Sequence, residues 1–325
     1  MKWPLIFLVM GVCACDTSPP ASQAVVVSSA AAKSTPTQTA VLRNSGQIRF
    51  VAFGDQGTGS PMQHKVAAAV GQVCERLGGC DFGLLLGDNF YGSGVASIDD
   101  PQWVTAFEEP YGALGFPFYA VLGNHDLGGD GLGLDTEKGS YQVAYSQKNP
   151  QWRMPARFYD FSAGPVHFVA LDTMAIFYDQ DDHQREAIDG MLLAADTRWK
   201  IAFGHHPFYS NGTHGNAGNY NGWAFVPVAN GEHVRTFFED EICGRVDLYL
   251  SGHDHSRQDL VPDCRGTQFV VSGAGARTTA LPGTNKTHFQ SDKEGFLVVD
   301  ATDQSLTLRF FDANGMMDHE RVIIR

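Results

Sequence analysis

The chain has 325 residues, of which 43 % are hydrophobic and 36 are glycine, a composition that suits a globular protein with many tight loops. Its formal net charge of −13 argues against nucleic acid and anionic membrane surfaces as partners.

Residues 1–14 read as a signal peptide. Met1 and Lys2 give a short charged start, and Trp3 to Val12 is apolar but too short to span a bilayer. Val12-Cys13-Ala14-Cys15 resembles a bacterial lipobox with Cys15 as the lipidated residue. A plain cleaved signal peptide is the other reading, because a Cys at position 13 is unusual in a lipobox. Residues 15–46 then form a lipidated cysteine and a disordered tether, rich in Ser, Thr, Ala, Pro and Val and nearly free of charge. Export to the periplasm or cell envelope follows, lipid-anchored or secreted. Residues 47–325 are long enough for one catalytic domain with a large core.

Within that domain five apolar runs read as buried strands: Ile48 to Phe53, Phe82 to Leu86, Phe118 to Leu122, Lys200 to Phe203 and Val246 to Leu250. Each leads directly into a short polar motif. In order these are Gly54-Asp55-Gln56-Gly57, Gly87-Asp88-Asn89-Phe90-Tyr91, Gly123-Asn124-His125-Asp126, Gly204-His205-His206-Pro207 and Gly252-His253-Asp254-His255. Helical spacing is predicted at Pro61 to Leu77, Pro101 to Leu114, Asp182 to Ala195 and His233 to Ile242. The runs at Thr267 to Val271, Gly295 to Val299, Ser305 to Phe311 and His319 to Ile324 read as a closing strand meander. The expected fold is α/β, two facing mixed sheets flanked by helices. All five motifs would sit at strand C-terminal ends, the edge where open α/β sheets bind ligands.

A single Gly-Asn-His-Asp would ordinarily be a turn; five such motifs in order after strands are not. Gathered at one edge they offer two Asp, a Tyr, an Asn and three His, donors suited to borderline-to-hard first-row metals. If Asp88 bridges two ions, each ion has four protein bonds and keeps open positions, as two-metal hydrolysis requires.

These motifs resemble the metallophosphoesterase superfamily, whose fold is a four-layer sandwich. Gly57 stands where the general pattern has a His, and Tyr91 where it often has an Asp. Both are marks of the purple acid phosphatases. Gly-Asp-Asn-Phe-Tyr-Gly-Ser-Gly-Val (87–95) and Ser-Gly-His-Asp-His (251–255) are similar to the small tartrate-resistant type. The likeness implies Asp55, Tyr91 and His255 on Fe3+, with Asn124, His205 and His253 on a divalent ion (Fe2+, Zn2+ or Mn2+) and Asp88 bridging. It further implies His125 and His214 as catalytic residues that steady the phosphoryl group and protonate the leaving alcohol. The activity implied is hydrolysis of small phosphomonoesters by metal-bound hydroxide. A phosphodiesterase or nucleotidase with the same centre stays open, as does a surface-anchored lipoprotein that binds metal or phosphate without catalysis.

Two departures from the family concern the pocket walls: His206 replaces a usual Tyr, and the insert Asn216 to Phe225 has no counterpart. The segment after Thr173 is shorter than in animal members, and Gly128 to Leu134 reads as a mobile loop near the site. With Cys13 removed and Cys15 lipidated, Cys74, Cys80, Cys243 and Cys264 allow three pairings. Sequence neighbourhood favours 74 with 80 and 243 with 264, while four reduced cysteines remain the alternative.

Overall fold

The computed structural model describes residues 46–193, 196–222 and 229–325. The signal peptide, Cys15 and nearly all of the tether lie outside the described residues, as do positions 223–225 of the insert. The first strands are β1 (Gln47–Phe53), β2 (Phe82–Leu85), β3 (Phe118–Ala120), β4 (Trp152–Arg153), β5 (Tyr159–Ala163), β6 (Val166–Ala170) and β7 (Trp199–Phe203). They are followed by β8 (Leu248–Ser251), β9 (Arg257–Leu260), β10 (Gln268–Ser272), β11 (Thr287–Ser291), β12 (Gly295–Thr302), β13 (Ser305–Asp312) and β14 (Met317–Ile324).

These strands form two seven-stranded mixed sheets, ordered β14-β13-β12-β1-β2-β3-β4 and β11-β9-β10-β8-β7-β6-β5. In the first, β1 to β4 are parallel, and β12 joins β1 antiparallel. In the second, β6, β7, β8 and β10 are parallel. The sheets face each other across an aromatic core. Phe50 of β1 and Phe82 of β2 meet the Phe168 ring of β6 edge-on at 5.2 and 5.4 Å, and Tyr119 of β3 stacks on Phe161 of β5 at 3.9 Å. Such contacts add about 0.5–1.5 kcal/mol each beyond the area they bury. The expected two-sheet sandwich is what forms.

The helix Pro61–Arg76 starts where its sequence says it should: Ser60 caps it by accepting from the Gln63 N–H at 3.3 Å, and Pro61 occupies the first turn. Val66, Val70 and Val73 form its buried stripe. Helix Asp182–Leu193 packs on β6 of the other sheet.

Pro101 to Leu114 is helical as expected, but irregular: the run contains a π-type segment at Val104–Glu108, one α turn and a closing 3-10 turn at Gly112–Leu114. Pro110 has no N–H to give the Ala106 carbonyl four residues back, and Gln63 Nε2 donates to that carbonyl instead, at 2.6 Å. Two expectations change. The run at Thr267 to Val271 is not part of the closing meander. As β10 it is buried along four of its five residues and pairs parallel with β8, so only β12, β13 and β14 form the meander. The hairpin of β5 and β6, turning at Gly164 with φ of 52°, has no counterpart among the predicted strands.

Both favoured disulfides are present, Cys74–Cys80 and Cys243–Cys264. Among the described residues no helix is long and apolar enough to cross a membrane.

Candidate metal centre

The five motifs converge because they leave neighbouring parallel strands at the same end, β1, β2 and β3 in one sheet and β7 and β8 in the other. Motif glycines permit an approach that any side chain would block. A Cβ on Gly123 would lie 2.2 Å from Asp88 Oδ1, and one on Gly252 would lie 2.6 Å from Asp55 Oδ2. Asp55, Asp88 and His253 hold left-handed backbone, with φ of 60°, 53° and 67°. That conformation costs non-glycine residues about 1–3 kcal/mol each. Hydrogen bonds hold it: the Asp55 N–H donates to Gly87 O, and the His253 N–H to Asp55 Oδ2, both at 2.9 Å.

The seven expected ligands fall into two groups of three with Asp88 between them. In one, Tyr91 Oη is 3.3 Å from Asp55 Oδ1 and 3.2 Å from His255 Nε2, and the last two are 3.4 Å apart. In the other, Asn124 Oδ1 lies 2.8 Å from His205 Nε2 and 3.0 Å from His253 Nδ1, with the two imidazole nitrogens 3.1 Å apart. Asp88 gathers with Asp55 and His255, their ligand atoms all within 4.8 Å of one another, while its Oδ1 is 3.5 Å from His205 Nε2. Adjacent ligands of an octahedral ion with bonds of about 2.1 Å stand about 3.0 Å apart. The donor atoms therefore have the spacing of coordination shells.

Hydrogen-bond bookkeeping in the second group points the same way. His205 Nδ1 is engaged by the Leu86 carbonyl at 2.9 Å, and Asn124 Nδ2 donates to the Gly131 carbonyl at 3.0 Å. With a proton on Nδ1 donated to that carbonyl, the His205 ring turns its Nε2 lone pair towards Asn124 Oδ1, 2.8 Å away. A cation shared by these atoms would satisfy both lone pairs. Burial first, then the neighbouring His214, His206 and His205, push the His253 imidazole well below its ordinary value, which keeps it neutral and able to act as a ligand. In the first group, burial followed by the Asp88 and Asp55 charges pushes the Tyr91 phenol well above its ordinary value. Burial opposes protonation of His255, but its bond to Asp55 prevails and holds it raised. The donor set fits two metal ions.

Gly57 explains the Tyr. A Cβ there would lie 1.9 Å from Asn89 O and 2.4 Å from Phe90 N, so no side chain can occupy the position where the superfamily pattern has a His. Tyr91 fills the vacated place from the next loop.

His125 and His214 stand on either side. The His125 ring lies 4.5 Å from that of Tyr91 and its Nδ1 meets Gly92 O at 2.8 Å, while the His125 backbone N–H donates to Asp88 Oδ1 at 2.9 Å. The His214 ring stacks on His253 at 4.0 Å, and its Nδ1 meets Asn221 Oδ1 at 2.9 Å. Through Asn221, then, the insert orients His214. The His206 ring lies 4.7 Å from that of His253, but its Nδ1 is taken up by Thr173. Thr173 Oγ1 accepts from the His205 and His206 N–H groups at 3.2 and 3.1 Å and gives its own proton to His206 Nδ1 at 3.0 Å. The loop around Gly131 lies against the centre through the Asn124 bond.

Supporting residues are less legible in the sequence. Buried Asp126 accepts from the N–H groups of Gly123, Asn89 and Phe90 at 2.8, 3.1 and 3.0 Å, tying the loops after β2 and β3 together. Burial, then the Asp88 charge, raise its carboxyl to about 7. Asp254 accepts from Ser210 Oγ and, at 2.8 Å, from the His214 N–H. Both lie inside motifs, but nothing in their spacing separates a brace from a turn residue. Arg277, whose guanidinium carbon is 3.6 Å from the Tyr91 ring centre, has no motif signal.

Residues 48–257 match the family described as calcineurin-like phosphoesterase. The chain belongs to that family. It is 28 % identical over 305 residues to purple acid phosphatase 3 of Arabidopsis thaliana, covering 85 % of this chain and 78 % of the relative. It is also 28 % identical over 311 residues to tartrate-resistant acid phosphatase type 5 of Oryctolagus cuniculus, covering 82 % and 88 %. A solved structure entitled GAP50, the anchor in the inner membrane complex of Plasmodium, shares the fold, with a TM-score of 0.68, 22 % identity and coverage of 86 % and 89 %. The likeness to purple acid phosphatases expected from Gly57 and Tyr91 therefore holds, and this phosphoesterase is a metal-dependent phosphatase.

Proposed function

We propose that the protein is a binuclear-metal acid phosphatase acting on small phosphomonoesters. Asp55, Tyr91 and His255 would hold a ferric ion, Asn124, His205 and His253 a divalent ion (Fe2+, Zn2+ or Mn2+), and Asp88 both. The observation that carries this reading is the convergence of seven donor side chains in two groups with Asp88 between them, their ligand atoms at coordination-shell spacing. When bound, such ions supply Lewis acidity towards a phosphoryl oxygen and lower the pKa of a water, by metal catalysis of the usual kind.

The chain's own residues do the rest. Asp126 and the motif glycines fix the loops so that no reorganisation accompanies substrate binding. His125 and His214 are each engaged through Nδ1, which leaves Nε2 to hold a phosphoryl oxygen or pass a proton to the departing alcohol. A module that only bound metal or phosphate would need the ligands but neither of these histidines. At the N-terminus, residues 1–14 act as a leader and Cys15 as a lipid-bearing tether in the envelope; the two disulfides support an oxidising compartment.

Metal analysis of the purified protein, with its visible spectrum and turnover on a nitrophenyl monoester, tests the centre. A coloured protein carrying two metals, bleached by Tyr91→Phe, is expected. A colourless, iron-free protein with full activity would remove the ferric assignment.

A further inference from the structure

Arg277 lies outside every motif and is not one of the expected metal ligands. Its guanidinium spreads over the Tyr91 ring at 3.6 Å. Its Nε is buried without a hydrogen-bond partner, and among the described residues no carboxylate lies within ion-pair distance of it. Other arginines of this protein that are as enclosed are paired: Arg257 with Asp318, Arg309 with Asp300 and Arg321 with Asp259.

The side chain is also held in place. Two residues before it, the Gly275 N–H donates to Gly54 O at 3.1 Å; two residues after it, the Thr279 N–H donates to His255 O at 2.9 Å. Further on, the Gly283 N–H donates to Asn211 O at 2.8 Å. The Tyr91 face then fixes the plane of the guanidinium. A partly buried cation, held in one plane and with an unpaired Nε, beside a phosphate-handling centre lacks only its anion. Tyr91, the group it covers, belongs to the metals under the proposed function.

We propose that Arg277 donates to a phosphoryl oxygen of the substrate and makes the site favour doubly charged phosphomonoesters over singly charged phosphodiesters. The inference rests on the phosphatase reading above and names the substrate class of that same pocket. A guanidinium gains more from a terminal phosphoryl group, with its extra charge and extra oxygen, than from an esterified one.

The test compares the metal-loaded wild type with Arg277→Ala and Arg277→Lys, at matched metal content, on a nitrophenyl monoester and a bis-nitrophenyl diester, with inorganic phosphate as inhibitor. Arg277→Ala should raise KM for the monoester and the inhibition constant for phosphate about 10- to 100-fold, as loss of a charge-assisted hydrogen bond does. Diester kcat/KM should change less than threefold, and kcat on the monoester should fall less than KM rises. Arg277→Lys should recover part of the loss, because it keeps the charge without the fork. Equal loss on both esters, or unchanged phosphate inhibition alongside a shifted visible band, would overturn the inference and leave Arg277 as a partner of Tyr91 alone. A wild type that hydrolyses neither ester would overturn the phosphatase reading with it.

Discussion

Adding one methyl group at Gly57 should dislodge Tyr91. The new Cβ would lie 1.9 Å from Asn89 O, 2.0 Å from Asn89 C and 2.4 Å from Phe90 N. Carbon contacts settle at about 3.5 Å, so the loop after β2 has to withdraw by about 1.5 Å. Two hydrogen bonds pin that loop to Gly57: the Gly57 N–H donates to Asp88 O at 3.2 Å, and the Tyr91 N–H donates to Gly57 O at 2.8 Å. Overpacking costs about 1–3 kcal/mol, and each strained bond about 0.5–1.5 kcal/mol, giving about 2–6 kcal/mol in all. Since a displacement of about 1 Å can cost about 100-fold in rate, Gly57→Ala should lose at least that in kcat together with its visible band. Gly57→His, which restores the residue of the general superfamily pattern, should be worse. Thermal denaturation, metal content and kinetics on a nitrophenyl ester check this. A Gly57→Ala variant with wild-type melting, metal and turnover would refute the steric account of why this chain uses a Tyr.

Stripping the metals with a chelator should lower the melting temperature, by the equivalent of about 4 kcal/mol per ion if each is present at about 1,000 times its dissociation constant; unchanged melting would mean that the converging ligands do not bind them. His125→Ala and His214→Ala should each cost about 100- to 10,000-fold on alkyl phosphates and much less on nitrophenyl phosphate, with metal content intact. If either variant loses metal, that residue is a ligand and its role here is wrong. Replacing Cys243 and Cys264 together by Ser should cost about 3 kcal/mol, more than replacing Cys74 and Cys80, because the closed loop is longer, with separations of 21 and 6 residues. The reverse order in urea denaturation would contradict that.

What the sequence carries well is whatever a short segment settles by itself. A buried apolar run followed at once by Gly-Asp or Gly-His fixes both the place of a ligand, at a strand's end, and the bare backbone it needs; Gly123 and Gly252 can be read that way without sight of their contacts with Asp88 and Asp55. What it carries poorly is any assignment that depends on a partner far along the chain. Pro110 is compatible with a first helical turn, and only Gln63, 43 residues away from Ala106, shows that the carbonyl it strands has been satisfied elsewhere. The run ending at Val271 has the same apolar pattern as the meander strands, and its sheet is decided by β8.

The supports of the metal centre belong to this second kind. Asp126 reaches back 37 residues to the Asn89 N–H and Asp254 reaches back 40 to the His214 N–H, each a carboxylate indistinguishable in sequence from a solvated one. Arg277 is the extreme case, since nothing near it in the chain calls for a cation. Its meaning arises only because two loops, one after β2 and one after β10, bring a phenol and a guanidinium face to face at 3.6 Å. The ligands thus follow from local backbone rules that the whole superfamily shares, and they fix the type of reaction. The choice among phosphate esters falls to long-range contacts such as that of Arg277, where one chain of the family can differ from another without disturbing the metals.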